Sequence, residues 1–191
     1  MSALRNKIIA LVVSATGLTA IVNYEGIREK AYRNFRNEPV TIGIGSTKHA
    51  DGSPILMGET ITRQDAVNLF KNTLSIYEAD VKRCVKVPLY QYEFDAYVSL
   101  TYNIGGGRFC KSLIPIKLTA YDYAGACKEI LRYNKVGNTV VKGLDVRRKD
   151  EYKTCIGAKE IPVIAIPAIP KADSLNVEEA KPADKLSTKV K

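Results

Sequence analysis

Apolar side chains recur at helical spacing in several separate stretches of the 191-residue chain. Ala66, Leu69, Phe70, Leu74, Tyr77 and Val81 fall on one face of a helix predicted over residues 62–83, with Thr62 as N-cap and Asp65 three residues on. Pro88 interrupts the pattern before a second helix predicted over residues 91–104. This helix carries Phe94, Tyr97, Val98, Leu100 and Tyr102, is apolar on most sides, and is expected at the centre of the helical part; Gly105, Gly106 and Gly107 end it. Shorter helical patterns cover residues 112–119 and 121–133. Residues 134–143 read as turn or loop, and a charged last helix spans residues 144–153.

The pattern differs at the two ends. Behind Arg5 and Lys7, residues 8–24 form a run of seventeen without charge, at the short edge of what spans a bilayer. Ser14, Thr16, Gly17, Thr19 and Asn23 dilute it, and the basic residues before it would hold that end in the cytoplasm. A cleaved signal peptide fits the charge and length, with Leu18-Thr19-Ala20 as a cleavage site. Cutting there would remove the helix that should position Glu25. A buried core helix is the other reading of the same residues. At the far end, the last thirty-six residues hold four of the eight prolines and no aromatic. Residues 156–191 therefore read as a disordered tail rich in Pro, Lys, Glu and Ala. The chain divides into an N-terminal segment (1–24), a folded domain (25–155) and this tail.

Composition narrows the function. A hydrophobic content of 46% supports a core of ordinary size, and a net charge of +9 calls for an anionic partner. Nucleic acid, anionic lipid and the acidic bacterial wall all qualify, but no nucleic-acid signature accompanies the scattered lysines. The single histidine, His49, lies in a Lys-His-Ala-Asp-Gly turn and reads as solvated, so neither a metal site nor a Cys–His nucleophile is expected. Cys84, Cys110, Cys127 and Cys155 contain no Cys-x-x-Cys pair. Their even number suggests two disulfides in an exported protein, with three connectivities open; four buried thiols are the alternative.

The stretch around which the rest is organised is residues 24–47. It has an acid-glycine step, Glu25-Gly26, at the end of a helix, then a polar turn at residues 34–39, then a β ribbon at residues 40–45. A carboxylate on a rigid element facing a polar hairpin is one half of a glycosidase cleft; a structural hairpin with an exposed glutamate reads from the same pattern. In addition, Glu25-Gly26, Ala31-Tyr32, Thr41-Ile42-Gly43 and Gly45 resemble the phage lysozyme (endolysin) family. Asp95-Ala96-Tyr97, Tyr102 to Gly105, Phe109 to Ser112, Gly125 to Cys127, and Gly143-Leu144 with Arg147-Arg148 match it in the same order, over roughly residues 20–155.

The resemblance implies an α+β, mostly helical, two-lobed fold with a small β hairpin lobe. It implies a muramidase that cuts the β-1,4 bond between N-acetylmuramic acid and N-acetylglucosamine, without cofactor or metal. Glu25 would be the general acid, its pKa raised by burial. The family's second carboxylate most often lies nine residues further on, where this chain has Asn34. Glu38 is the remaining carboxylate of the turn, and Thr41 would hold the nucleophilic water. Asn34, Asn103 and Arg147 are the substrate-binding candidates. Arg147 or Arg148 would also pair with Glu25, Arg148 being expected in a surface pair with Asp145, Asp150 or Glu151. For residues 8–23 the resemblance implies a signal-anchor-release segment, which the weak hydrophobicity suits best. The enzyme would be tethered at the host inner membrane, then act in the periplasm as a monomer on peptidoglycan. The alternatives are a non-catalytic peptidoglycan-binding relative and a membrane-tethered interaction module.

Overall fold

The helix expected at the centre is there. In the computed structural model, which describes residues 5–33 and 36–158, α3 (Gln91–Ile104) is buried at every position from Glu93 to Tyr102. Its first turn is closed by Glu93, which accepts a hydrogen bond from the Tyr90 backbone at 2.7 Å. Gly105, at φ +87°, ends it. Only Gly105 lies between helices, because α4 (Gly106–Cys110) begins immediately. A β-carbon on Gly106 would collide with the Asp80 side chain, so glycine is what allows α4 to dock against α2.

Helix α2 (Arg63–Cys84) has Thr62 as its cap, accepting from the Asp65 amide at 3.1 Å. Ala66, Leu69, Phe70, Leu74 and Val81 are buried as the spacing predicts. This helix joins the two lobes. Its N-terminal half packs on β2 (Thr41–Gly43) and its C-terminal half on α3 and α4. β2 pairs antiparallel with β1 (Arg28–Tyr32), Arg28 opposite Gly43 and Tyr32 opposite Thr41. Val40, Ile42, Ile55 and Leu69 form the small core of this hairpin lobe.

Helices α5 (Leu113–Thr119) and α6 (Tyr123–Glu129) and a 3-10 turn (Ile130–Arg132) complete the larger lobe with α7 (Lys142–Cys155). Residues 134–143, expected as loop, contain a second hairpin, β3 (Lys135–Val136) with β4 (Thr139–Val140). Its strands are two residues long and exposed, so no inward-facing apolar alternation marks them. The four cysteines form two disulfides. Cys84–Cys110 ties the end of α2 to α4, and Cys127–Cys155 ties α6 to the end of α7.

The charge-free run is not one helix. It starts as a 3-10 turn (Ile8–Ala10), continues extended, and becomes α1 (Ala15–Glu25). Ile8, Leu11 and Ile21 are buried, whereas Ile9 and Val12 face outward. Among the described residues, no helix is long and apolar enough to cross a membrane. Asn34 and the tail from residue 159 onward lie outside the described residues.

Candidate active site

Glu25 is the last residue of α1, and Gly26, at φ +70°, turns the chain away into β1. One oxygen of the carboxylate, Oε1, accepts a hydrogen bond from Arg147 Nη1 at 2.7 Å. Arg147 is fixed from three other directions. Its Nε donates to Glu151 Oε1 at 3.1 Å, its Nη2 donates to the Ser99 carbonyl at 3.3 Å, and its guanidinium lies 4.8 Å from the centre of the Tyr24 ring. Burial pulls the Arg147 guanidinium down, but Glu151 and Glu25 more than offset it, so its pKa is raised.

Beneath this pair lies a second ion pair. Arg148 is fully buried, with Nε 2.8 Å from Glu151 Oε2 and Nη2 donating to Oε1 at 3.0 Å. The expected surface pair is therefore corrected. Glu151 is the partner, but both groups are in the core, because α7 packs its Arg148 face onto α3. Burial pushes the Glu151 carboxyl up and the Arg148 guanidinium down, as it does for any charge taken out of water. Ser99 also donates to Glu151 Oε1, at 2.7 Å. The chain Ser99–Glu151–Arg147–Glu25 thus runs from the buried centre of α3 to the partly buried Glu25 carboxylate. Glu151 escaped sequence reasoning as a site residue. The signal was its i+4 spacing from Arg147.

The other oxygen, Oε2, faces the hairpin lobe. A β-carbon on Gly45 would sit 3.3 Å from it and 3.1 Å from the Tyr102 hydroxyl, and Gly45 has φ +78°. Only glycine lets the backbone come this close in this conformation. The Tyr102 hydroxyl donates to the Ile44 carbonyl, which fixes the strand end against α3. Burial, and then the charge of Glu25, push the Tyr102 phenol up.

On the hairpin side, Thr41 is partly exposed and donates to the Pro39 carbonyl at 3.3 Å, while Glu38 is exposed in the turn before it. Tyr32 lies opposite Thr41 in the ladder. Its phenol is pushed up first by burial, and then by Glu25 and Glu38 against the Arg28 guanidinium stacked 4.2 Å from its ring centre. Asn103 stands exposed on the last turn of α3, one residue beyond Tyr102, and its side chain makes no hydrogen bond to the described residues. His49 is not simply solvated. Its Nε2 lies 2.9 Å from Glu59 Oε2, and it lines a cavity of about 290 Å³ with Thr47, Lys48, Asn72, Thr73 and Tyr77. Tyr77, on the wall of this cavity, packs edge-on against Tyr102 at 5.0 Å.

The acid, the hairpin facing it and the arginine that holds it all fall inside residues 22–151, the span that matches the phage lysozyme family model. The chain belongs to the phage lysozyme family. The endolysin of Salmonella phage P22 is 36% identical over 138 residues, covering 72% of this chain and 94% of that protein. A SAR-endolysin of bacteriophage PS119 is 29% identical over 167 residues, covering 83% and 97%. Among solved structures, the endolysin from Escherichia coli O157:H7 phage FAHEc1 superposes with a TM-score of 0.72 at 31% identity, over 82% of this chain and 98% of that one. The phage lysozyme described here is a glycoside hydrolase, a peptidoglycan muramidase of host lysis.

Proposed function

We propose that Glu25 is the general acid of this muramidase and that the hairpin lobe supplies the water. The observation that carries the reading is the division of labour between the two Glu25 oxygens. Oε1 is held by Arg147, while Oε2 is turned toward the hairpin and available to the glycosidic oxygen. Protonation of that oxygen lets the bond to N-acetylmuramic acid break with an oxocarbenium-like sugar in the cleft. Thr41 orients the incoming water through its hydroxyl, and Glu38 takes its proton. Glu38 lies exposed in the turn before Thr41, whose strand pairs with the one that follows Glu25. Asn103 and the polar wall around Thr47 and Asn72 bind the glycan on either side.

Glu25→Gln tests the reading. The variant should fold and bind purified peptidoglycan while wall lysis falls by about 10² or more, the usual share of a general acid. Undiminished lysis would refute the assignment. Wall binding without lysis in the parent itself would mean a non-catalytic relative.

Residues 8–23 act before catalysis. In our reading they insert in the host inner membrane, leave it, and fold against the body, after which the enzyme works in the periplasm as a monomer. Three features support this: the basic residues ahead of a charge-free run, its dilution by small polar residues, and the likeness to a protein named a SAR-endolysin.

A further inference from the structure

Helix α1 is not packed along its whole length. A cavity of about 170 Å³ lies beneath it, lined by Gly17, Ala20 and Asn23 on the helix and by Ser99, Asp150 and Thr154 opposite. Ile21 anchors the middle of the helix in the core, and polar groups hold its two ends. The C-terminal end is held by Arg147 on Glu25 and by Tyr24, whose hydroxyl donates to Asp150 at 3.3 Å. The N-terminal end is gripped by Asp95, a residue of α3 that is only 6% exposed. Asp95 Oδ1 accepts the Ser14 backbone amide at 3.0 Å, and Oδ2 accepts the Ser14 hydroxyl. The same hydroxyl oxygen accepts the Gly17 amide at 3.1 Å and so caps the helix. Gln91 fixes the carboxylate in turn, donating to Oδ1 at 2.9 Å and to the Val12 carbonyl at 2.8 Å.

An ordinary cap needs only the serine. Here a carboxylate from another helix takes both donors of the cap residue, which defines a direction as well as satisfying a bond. The approach is close. A β-carbon on Gly17 would lie 2.8 Å from Asp95 Cγ, so the helix can rest on Asp95 only with glycine at that position. An eleven-residue helix is roughly 16 Å long, and a tilt of about 5° at one end moves the other by about 1.4 Å. Glu25 is at that other end.

We propose that Asp95 is a positioning residue for catalysis, setting α1 through Ser14 and Gly17 so that Glu25 meets the scissile oxygen. This rests on Glu25 being the acid. Misplacement by about 1 Å is enough to slow chemistry strongly without weakening the binding of the rest of the substrate.

The test measures kcat and KM on a soluble, peptide-free wall glycan, at a temperature where near-UV circular dichroism shows each full-length variant folded. Ser14→Ala and Asp95→Ala should each lower kcat by about tenfold with KM within about twofold. The double variant should be no slower than the slower single one, since both break the same clasp. Gly17→Ala should lower kcat likewise although alanine is the better helix former, and Ser14→Thr, which keeps the hydroxyl, should restore it. Unchanged kcat in Ser14→Ala or Gly17→Ala would overturn the proposal, as would losses that simply multiply in the double variant. If Asp95→Ala does not fold, the serine and glycine variants decide alone. Glu25→Gln run alongside separates the two readings. If it is inactive while the clasp variants are fully active, only the clasp is wrong; if it is active, the acid assignment itself has failed.

Discussion

The two sides of the cleft are built to different standards. On the helical side, Glu25 is held by an arginine that is itself bound to a buried glutamate, a backbone carbonyl and an aromatic face. On the hairpin side, Glu38 and Thr41 stand on a short two-stranded ribbon over a core of four buried side chains. On the reading proposed above, the acid must meet one atom in one orientation, and a fixed network serves that. The hairpin must admit a polymer and a water molecule, and a thin, exposed element serves that. Rigidity is concentrated on the Glu25 side, where that reading places proton transfer.

Mutations on the two sides should therefore differ in kind. The largest effect is the loss of about 10² or more in lysis expected for Glu25→Gln. Next is the base of the network. Arg148→Met leaves part of the Glu151 charge uncompensated in the core, and should lower unfolding free energy by about 3–5 kcal/mol in denaturant titration. A loss below about 1 kcal/mol would mean that Arg147 alone satisfies Glu151. Removing the Cys127–Cys155 bridge, whose cysteines lie 28 residues apart, should lower stability by about 3–4 kcal/mol on chain-entropy grounds. That can be read from thermal melts of the double-alanine variant.

On the hairpin side, Glu38→Gln should lower lysis nearly as far as Glu25→Gln, by about 10², while leaving the melting temperature within about 1 °C, since an exposed side chain contributes little to stability. Full lytic activity would leave Thr41 and water to act without a base from this turn. The smallest effect concerns the N-terminal run. Replacing Ala15 and Thr16 by leucine should favour membrane insertion by roughly 0.5 kcal/mol per leucine. More enzyme should then remain in the membrane fraction and lysis should come later. Equal partition of parent and variant would count against a membrane stage.

Much of the helical side was legible because burial leaves a periodic trace. The α2 stripe and the all-round apolar surface of α3 are direct consequences of what those helices pack against. The resemblance implied that Arg147 or Arg148 pairs with Glu25, and in the structure it is Arg147. The depth of Arg148 did not follow, because a charged residue in a charged helix carries no mark of burial until its partner is seen inside. Strands β1, β3 and β4 were missed for a related reason. Arg28-Glu29-Lys30 and Lys135-Val136 face solvent, so alternation is absent and only pairing makes them strands. Ser14, Gly17 and Asp95 read as dilution of an apolar run and as a family block, and only their contact across α1 and α3 joins them.

The Cys127–Cys155 bridge has one further consequence. It closes a loop that contains the exposed β3–β4 hairpin and its turn at Gly137 and Asn138. An exposed turn of small polar residues is where a protease cuts first. A chain nicked there keeps α7 covalently attached through the sulfur bridge, so Arg147 stays in register with Glu25 across the break. The nicked enzyme should migrate as one species without reductant and as two with it, and should go on cleaving glycan until the bridge is reduced.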